Sequence, residues 1–98
     1  MTGASDVFTW INKQGVRNSA GFEVQSIDRF TIQYRESKRF VNLHVEPGIS
    51  AGRPSINLSA RAFDRWANSS VPNTPAEQER MRGNFIAAME FQGITVDS

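Results

Sequence analysis

Residues 74–96, TPAEQERMRGNFIAAMEFQGITV, decide the fold because they mark both ends of one helix and the strand that follows it. Thr74 predicts the N-cap, Pro75 suits the first helical position, and Glu77 completes a capping box. Gly93 can adopt the left-handed conformation that ends a helix, and the next three residues favour an extended chain. The segment therefore predicts a long helix that leads directly into a strand.

One side of this helix is predicted to be its packing surface. The apolar stripe consists of Met81, Phe85, Ala88, Met89 and Gln92, and the opposite side carries Glu79, Arg80, Gly83 and Glu90. Glu77 precedes Arg80 by three residues and Glu79 precedes Arg82 by three, which predicts ion pairs along the helix. A glycine inside a helix costs about 1 kcal/mol relative to alanine, so Gly83 is predicted to permit a close packing contact.

The middle of the chain predicts a β-hairpin with one apolar and one polar face. The apolar positions are Phe30, Ile32 and Tyr34 in one arm and Val41, Leu43 and Val45 in the other. The polar face that remains consists of Arg29, Thr31, Gln33, Arg35, Phe40, Asn42, His44 and Glu46. After the hairpin, Pro47 and Gly48 predict a turn, residues 49–54 a loop and residues 55–58 a returning strand.

The first part of the chain allows two interpretations. Asp6 can cap a short helix that Gly15 ends, whereas residues 7–11 have high strand preference; we favour the helix, with the strand as the alternative. Alternation around Phe22 and Val24 then predicts a strand.

Ser59 is predicted to cap a further short helix. Phe63 and Trp66 would share one face of it, since they lie three residues apart.

These elements predict a single α+β domain spanning residues 1–98. Its mostly antiparallel sheet carries the long C-terminal helix on one face, with short additional helices. A chain of 98 residues, 39% hydrophobic and 21% charged, is typical of one globular domain with one modest core. Because the chain has no cysteine, disulfides are excluded and packing must hold the fold together.

The charge balance narrows the classes of partner. A net charge of +1 argues against a dedicated duplex-DNA binder and against an acidic mimic of nucleic acid. Nine of the eleven basic residues are arginines, which suit contacts with protein carboxylates. The chain begins without a basic region followed by a long apolar run, so we expect no signal peptide, no membrane span and a cytoplasmic protein.

The search for catalytic chemistry finds no active-site pattern in the sequence. His44 is the single histidine, and no phosphate-binding loop or nucleophile elbow is present. We therefore expect a non-enzyme with no catalytic residues, cofactor, metal or small-molecule substrate. The basic residues and Phe40 at residues 35–40 keep binding to RNA or single strands open as an alternative, although solvated charge at a turn explains them more simply.

Trp66 also has two interpretations. It is expected first as an anchor of its short helix to the core, and second as a half-buried contact residue, because Asp64 and Arg65 flank it with both charges. Combined with the polar sheet face, this gives the predicted partner-binding residues Arg35, Phe40, His44, Asp64 and Trp66.

Several runs of residues in the chain resemble a small bacterial family, the immunity proteins of polymorphic toxins and contact-dependent growth inhibition. In the second half they are residues 64–66, a proline-containing connector, 79–80, 84–85, 88 and 90–93; in the first half they are 8–11, 15–17, 21–24 and 34–36. The most specific is AMEFQG at residues 88–93. The resemblance implies a small α+β protein that protects its producer by binding a cognate toxin domain, without catalysis.

The function predicted from the sequence is therefore an immunity protein that occludes a toxin's active site or substrate surface. The expected partner is a protein toxin domain, with no membrane and no nucleic acid. The alternatives are a small protein that binds RNA or single strands, and a generic interaction adaptor.

Overall fold

The computed structural model describes residues 7–67 and 69–97, which form one sheet of seven strands and one helix. The elements in chain order are β1 (Phe8–Asn12), β2 (Gly15–Asn18), β3 (Phe22–Asp28), β4 (Thr31–Glu36), β5 (Arg39–Ser50), β6 (Arg53–Leu58), α1 (Pro75–Phe91) and β7 (Thr95–Asp97). The strands lie in the sheet in the same order as in the chain, and all pairs are antiparallel except β6 with β7. The α+β class, the mostly antiparallel sheet and the C-terminal helix are confirmed.

The core lies between one face of the sheet and helix α1. The buried residues of the sheet are Val16, Phe22, Val24, Ile32, Tyr34, Val41, Leu43, Val45, Ile56 and Leu58. The helix contributes Met81, Phe85, Ala88 and Met89, so the predicted stripe is confirmed. Gln92 at its end is half-buried and donates a hydrogen bond to the carbonyl oxygen of Ala88. We call this side of the sheet the inner face and the opposite side the outer face.

Both predicted ends of the helix are confirmed. The Thr74 hydroxyl accepts a hydrogen bond from the backbone N–H of Glu77 at 3.1 Å, and Pro75 is the first helical residue. Gly93 has a φ of +83°, the left-handed conformation that only glycine adopts readily. The packing role predicted for Gly83 is wrong, because a Cβ built there would meet no atom within 4 Å.

The central hairpin forms as predicted, with Ile32 opposite Leu43 and Tyr34 opposite Val41 on the inner face. Phe30 differs, since it precedes β4 and its side chain is about half exposed. Its backbone N–H is bonded instead to the Asp28 carboxylate at 2.9 Å, an Asx-type contact that stabilises the turn between β3 and β4.

The helix favoured for residues 6–14 is wrong. The described part of this segment, from residue 7 onward, is strand β1 followed by a turn, and Asp6 lies outside the described residues. β1 pairs with β2, which places Trp10 opposite Val16. The strand preference of the aromatic and β-branched residues at 7–11 prevails because β2 supplies a partner for their backbone.

The turn predicted at Pro47 and Gly48 and the loop predicted at residues 49–54 are also wrong. Strand β5 continues through Pro47 and pairs with β6, and the chain turns only at Ala51 and Gly52, whose φ angles are +51° and +79°. Strand β4 begins opposite His44, so β5 lacks a neighbour on that side beyond this point. Proline has no N–H to donate, and an open strand edge tolerates this.

The second short helix, predicted after Ser59, is instead a series of turns. Two backbone bonds of 3.1 Å, from Ala62 to Ser59 and from Asp64 to Arg61, each close a single turn. Arg82 of the helix donates to the carbonyl oxygens of Ser59 and Ala60 at 2.9 and 3.1 Å, which binds this segment to α1. The additional short helices of the predicted fold are therefore not seen in residues 7–67 and 69–97.

An aromatic cluster lies where edge strand β1 meets the end of the helix. Phe8 stacks on Phe91 with ring centroids 5.1 Å apart, and Trp10 lies 6.0 Å from the same ring. Trp10 and Phe91 remain 50% and 45% exposed.

Candidate functional site

The outer face of the sheet carries polar side chains arranged in rows across the strands. Residues paired directly across strands point to the same side of a sheet. The first row is Arg17, Glu23, Arg35 and Phe40, the second is Gln25, Gln33 and Asn42, and the third is Thr31 and His44. Since helix α1 packs on the inner face, these rows form a polar surface on the opposite side of the sheet.

Arg35 and Phe40, two of the predicted partner-binding residues, lie side by side on the outer face. The Arg35 guanidinium carbon is 5.4 Å from the centroid of the Phe40 ring, a cation–π arrangement. The same guanidinium donates to the side-chain oxygen of Gln33 at 3.3 Å, and Gln33 donates to Asn42 at 3.2 Å. These contacts hold the arginine in one orientation on the surface.

His44 is on the same face but in a separate cluster. Its ring stacks on the Phe30 ring with centroids 6.5 Å apart. The guanidinium carbon of Arg29, in the turn between β3 and β4, lies 5.7 Å from the centroid of the Phe30 ring. His44 is four residues along β5 from Phe40, about 13 Å at the rise of a strand. The structure thus places Arg35, Phe40 and His44 on one surface without bringing His44 into contact with the other two.

Trp66 belongs to the core and, with Phe40, lines a cleft of about 270 Å³. Trp66 is only 5% exposed and stacks on the core residue Tyr34 at 6.2 Å, so the partial exposure expected of a contact residue is wrong and the core anchor is confirmed. Arg39 covers its ring at 4.6 Å. The indole Nε1 is buried and has no hydrogen-bond acceptor in the described part of the chain. Asp64 forms an ion pair with its neighbour Arg65 at 3.3 Å.

A partly buried polar network joins the helix to the end of the sheet, and sequence reasoning missed it. Glu36 receives hydrogen bonds from the Tyr34 hydroxyl at 2.5 Å and from two nitrogens of Arg80 at 2.5 and 3.2 Å. Arg39 approaches the same carboxylate at 3.7 Å, and Asn84 donates to the Tyr34 hydroxyl at 3.0 Å. One carboxylate is therefore held by two guanidinium groups and a phenol.

The network shifts the pKa values of Glu36, Tyr34 and Arg80. Burial alone would raise the pKa of Glu36, but hydrogen bonds from Arg80 and Tyr34 outweigh it, and the pKa lies below the usual value of a glutamate. Burial, followed by the hydrogen bond to Glu36, raises the pKa of Tyr34 well above that of a free tyrosine. The hydrogen bond to Glu36 raises the pKa of Arg80. All three therefore keep the charge states that the hydrogen bonds require at neutral pH.

One sequence signal could have revealed this network. Glu36 follows Ile32 and Tyr34 at spacings of two, which places its carboxylate on the inner side of β4, where a buried charge needs a partner. Arg80 and Asn84 are one helical turn apart and face that position. The ion pair predicted between Glu77 and Arg80 was the wrong pairing, since Arg80 extends to Glu36.

Two clefts open on either side of this end of the sheet, where the β2–β3 and β4–β5 turns lie; we call it the hairpin end. The first, of about 390 Å³, is lined by Ala20, Gly21, Phe22, Glu36, Ser37, Arg39, Arg80 and Asn84. The second, of about 260 Å³, is lined by Arg17, Asn18, Gly21, Phe22, Glu23, Arg35 and Ser37. The clefts share Gly21, Phe22 and Ser37, so the network and the first row of the outer face meet at one place.

The residues that the structure describes show neither a group of metal ligands nor a helix that could span a membrane. Within residues 7–67 and 69–97, no three His, Asp or Glu side chains are grouped closely enough to hold a metal ion. Helix α1, the one helix of that part of the chain, lacks the length and apolar character needed to cross a bilayer.

Comparison of the chain with protein-family models, curated proteins and solved structures gives no match.

Proposed function

We propose that this protein is an immunity protein, which binds a cognate bacterial toxin domain and covers the toxin's active site or substrate surface. The class of partner rests on the resemblance of the sequence, most of all on residues 88–93. The mode of action, binding without catalysis, rests on the surface chemistry. The outer face offers arginine, amide and aromatic groups to a partner.

The observation that supports this proposal most is the Arg35–Phe40 pair. It lies on the side of the sheet away from the core, so the fold does not need it for packing. Arginine and aromatic side chains supply a large part of the energy of protein interfaces. Because the Phe40 ring and Gln33 already hold the guanidinium, little side-chain freedom would be lost on binding.

The structure also changes which of the predicted contact residues are suitable for a partner. Arg35, Phe40 and His44 share the outer face, and we propose the first two as the centre of the interface and His44 as a peripheral contact. Trp66 is buried in the core, so its replacement would test folding rather than binding. The Asp64 carboxylate is paired with Arg65 at 3.3 Å, so we leave Asp64 out of the proposed interface.

The direct test is co-expression with the toxin domain encoded beside this chain, combined with calorimetry on the two purified proteins. We expect rescue of growth and a dissociation constant near 1 nM, which corresponds to about −12.3 kcal/mol. Phe40→Ala should weaken binding at least tenfold, while Arg53→Glu, at the start of β6 and paired with the last residue of β5, should bind as the parent does.

Failure of the wild-type protein to bind or to rescue would overturn the immunity proposal in favour of an adaptor. If the protein instead bound single-stranded RNA with an affinity that fell steeply as salt increased, the nucleic-acid alternative would replace it. Turnover of ester or phosphodiester substrates that His44→Ala abolished would contradict the proposal of a non-enzyme.

A further inference from the structure

The positive charge of the molecule is concentrated at the hairpin end. Four of the eleven basic residues and two of the ten acidic ones line the two clefts there, which gives the lining residues a net charge of +2 and leaves −1 for the rest of the chain. A charge pattern of this kind selects partners by the sign of their charge. Surfaces of opposite charge associate faster, and surfaces of like charge repel each other. The small net charge of the whole chain conceals this difference.

The junction between the two clefts is open to an approaching chain. Gly21 and Ser37 line both clefts, and a Cβ added to Gly21 would meet no atom within 4 Å. Gly21 has a φ of +109° and Ser37 a φ of +56°, so two tight turns form the floor with only small side chains. Arg17 and Arg35 lie on one side of this floor, and Arg39 and Arg80 lie on the other.

The charged groups on both sides are partly available. The side chains of Arg39 and Arg80 are 55% and 46% exposed, although both also contact Glu36. Each guanidinium has five N–H donors, so the bonds to Glu36 do not use them all. Contact with Glu36 and with the Trp66 ring keeps Arg39 in place, which prepares it to receive an external carboxylate.

We propose that the hairpin end is the docking site for an acidic segment of the partner protein, laid across Gly21 and Ser37 between the two pairs of arginines. This inference rests on the proposed function and specifies the chemistry of the partner. Guanidinium groups bind carboxylates in a planar geometry with two hydrogen bonds. Because arginines lie on both sides of the junction, they would recognise a segment with at least two acidic residues.

A protein segment suits the site better than a nucleic acid. Glu23 lies between Arg17 and Arg35, and Glu36 lies between Arg39 and Arg80, so positive and negative groups alternate. A phosphodiester chain carries a negative charge at every nucleotide and would place charge beside both carboxylates, whereas a protein segment can set neutral residues there and its acidic residues beside the arginines. Stacking of bases also needs a free aromatic face, yet among the lining residues Phe22 is buried, and Arg35 lies against the Phe40 ring nearby.

The first experiment uses the toxin domain and three charge reversals that change the net charge equally. Arg17→Glu and Arg39→Glu should each weaken binding at least tenfold, about 1.4 kcal/mol, and the wild-type affinity should fall as salt increases. Arg53→Glu is the control, and thermal melts must show that all variants are folded. If the wild type binds the toxin and both variants bind equally well, the inference fails while the proposed function stands.

The second experiment is independent of the toxin. A synthetic octapeptide of alternating glutamate and serine is titrated into labelled protein, and amide signals are followed by NMR. We expect shifts of the Gly21 and Ser37 amides that Arg39→Glu reduces. Absence of shifts at these amides would overturn the inference, and so would tighter binding of a single-stranded RNA at the same amides. Shifts with the peptide but no binding of the toxin would retain the docking site and remove the immunity proposal.

Discussion

Arg80 of helix α1 binds the carboxylate of Glu36 on strand β4 with two nitrogens, at 2.5 and 3.2 Å, and so links residues 44 positions apart in the chain. The Glu36 side chain is only 14% exposed, whereas that of Arg80 is 46% exposed. The pair therefore combines a largely buried acceptor with a donor that water still screens. Its loss should cost stability chiefly because the carboxylate would remain buried with fewer donors.

The first prediction concerns this pair. Arg80→Met keeps much of the apolar stem and should lower the free energy of unfolding by about 1–3 kcal/mol, the range for hydrogen bonds to a charged group. Urea denaturation measures it, and Glu36→Gln with the double variant completes a double-mutant cycle. Arg61→Met, on an exposed turn, is the control and should change stability by about 0.5 kcal/mol or less. Additive effects of the two substitutions would contradict the pairing.

The second prediction concerns the loss of stability at low pH. The pKa of Glu36 is lowered in the folded protein, so the unfolded chain takes up its proton first as pH falls. The stability that ionised Glu36 contributes is fully present above its ordinary pKa of 4.5 and is lost as pH falls through the lower, folded value. Urea melts between pH 7 and pH 3 should therefore show a smaller loss for Glu36→Gln than for the parent. Parallel curves would show that Glu36 is not held ionised by the network.

The third prediction concerns Tyr34, the single tyrosine of the chain, whose ionisation can be read directly from ultraviolet absorbance. Burial and the hydrogen bond to Glu36 raise its pKa, so the contribution to stability is present below the ordinary value of 10.0 and is lost as pH rises above it. Native protein should show no tyrosinate at pH 10, whereas protein in concentrated urea should be about half ionised there. Equal titration curves in the two states would contradict the buried network.

The fourth prediction concerns Gly83, an exposed glycine inside α1. Since a Cβ there meets nothing within 4 Å, Gly83→Ala should raise the free energy of unfolding by about 1 kcal/mol through better helix propensity. Gly21→Ala is the matched contrast and should destabilise, because φ is +109° at that position. Differential scanning calorimetry compares the two. Destabilisation by Gly83→Ala would contradict the open space that the structure shows at this position.

Local signals predicted the parts of the fold where one pattern had no competitor. Thr74 and Gly93 mark the helix ends through backbone chemistry that acts within a few residues. The central hairpin was predictable because its inward and outward residues alternate without interruption. At Pro47 the local turn signal was misleading, because only the arrangement of neighbouring strands reveals that its missing N–H faces an open edge.

The candidate site was less predictable, because it depends on contacts between distant segments. Arg35 and Phe40 were found since each belongs to the polar side of a strongly alternating hairpin. Trp66 was expected first as a core anchor, and the partial exposure allowed as the second interpretation is wrong because its flanking charges are visible in the sequence while the stacking on Tyr34 is not. The meeting of Glu36 with Arg80 needs the position of the helix over the sheet, which no local pattern specifies.

The identical order of strands in the chain and in the sheet has a consequence for how the protein is made. Each strand from β2 to β6 pairs with the strand just before it, so the sheet can grow one hairpin at a time while the ribosome is still synthesising the rest. The helix comes last but one, and until it emerges the apolar inner face has no cover. A stalled chain that ends before Pro75 would therefore be a substrate for chaperones and proteases, and completion of α1 and β7 would end that vulnerability.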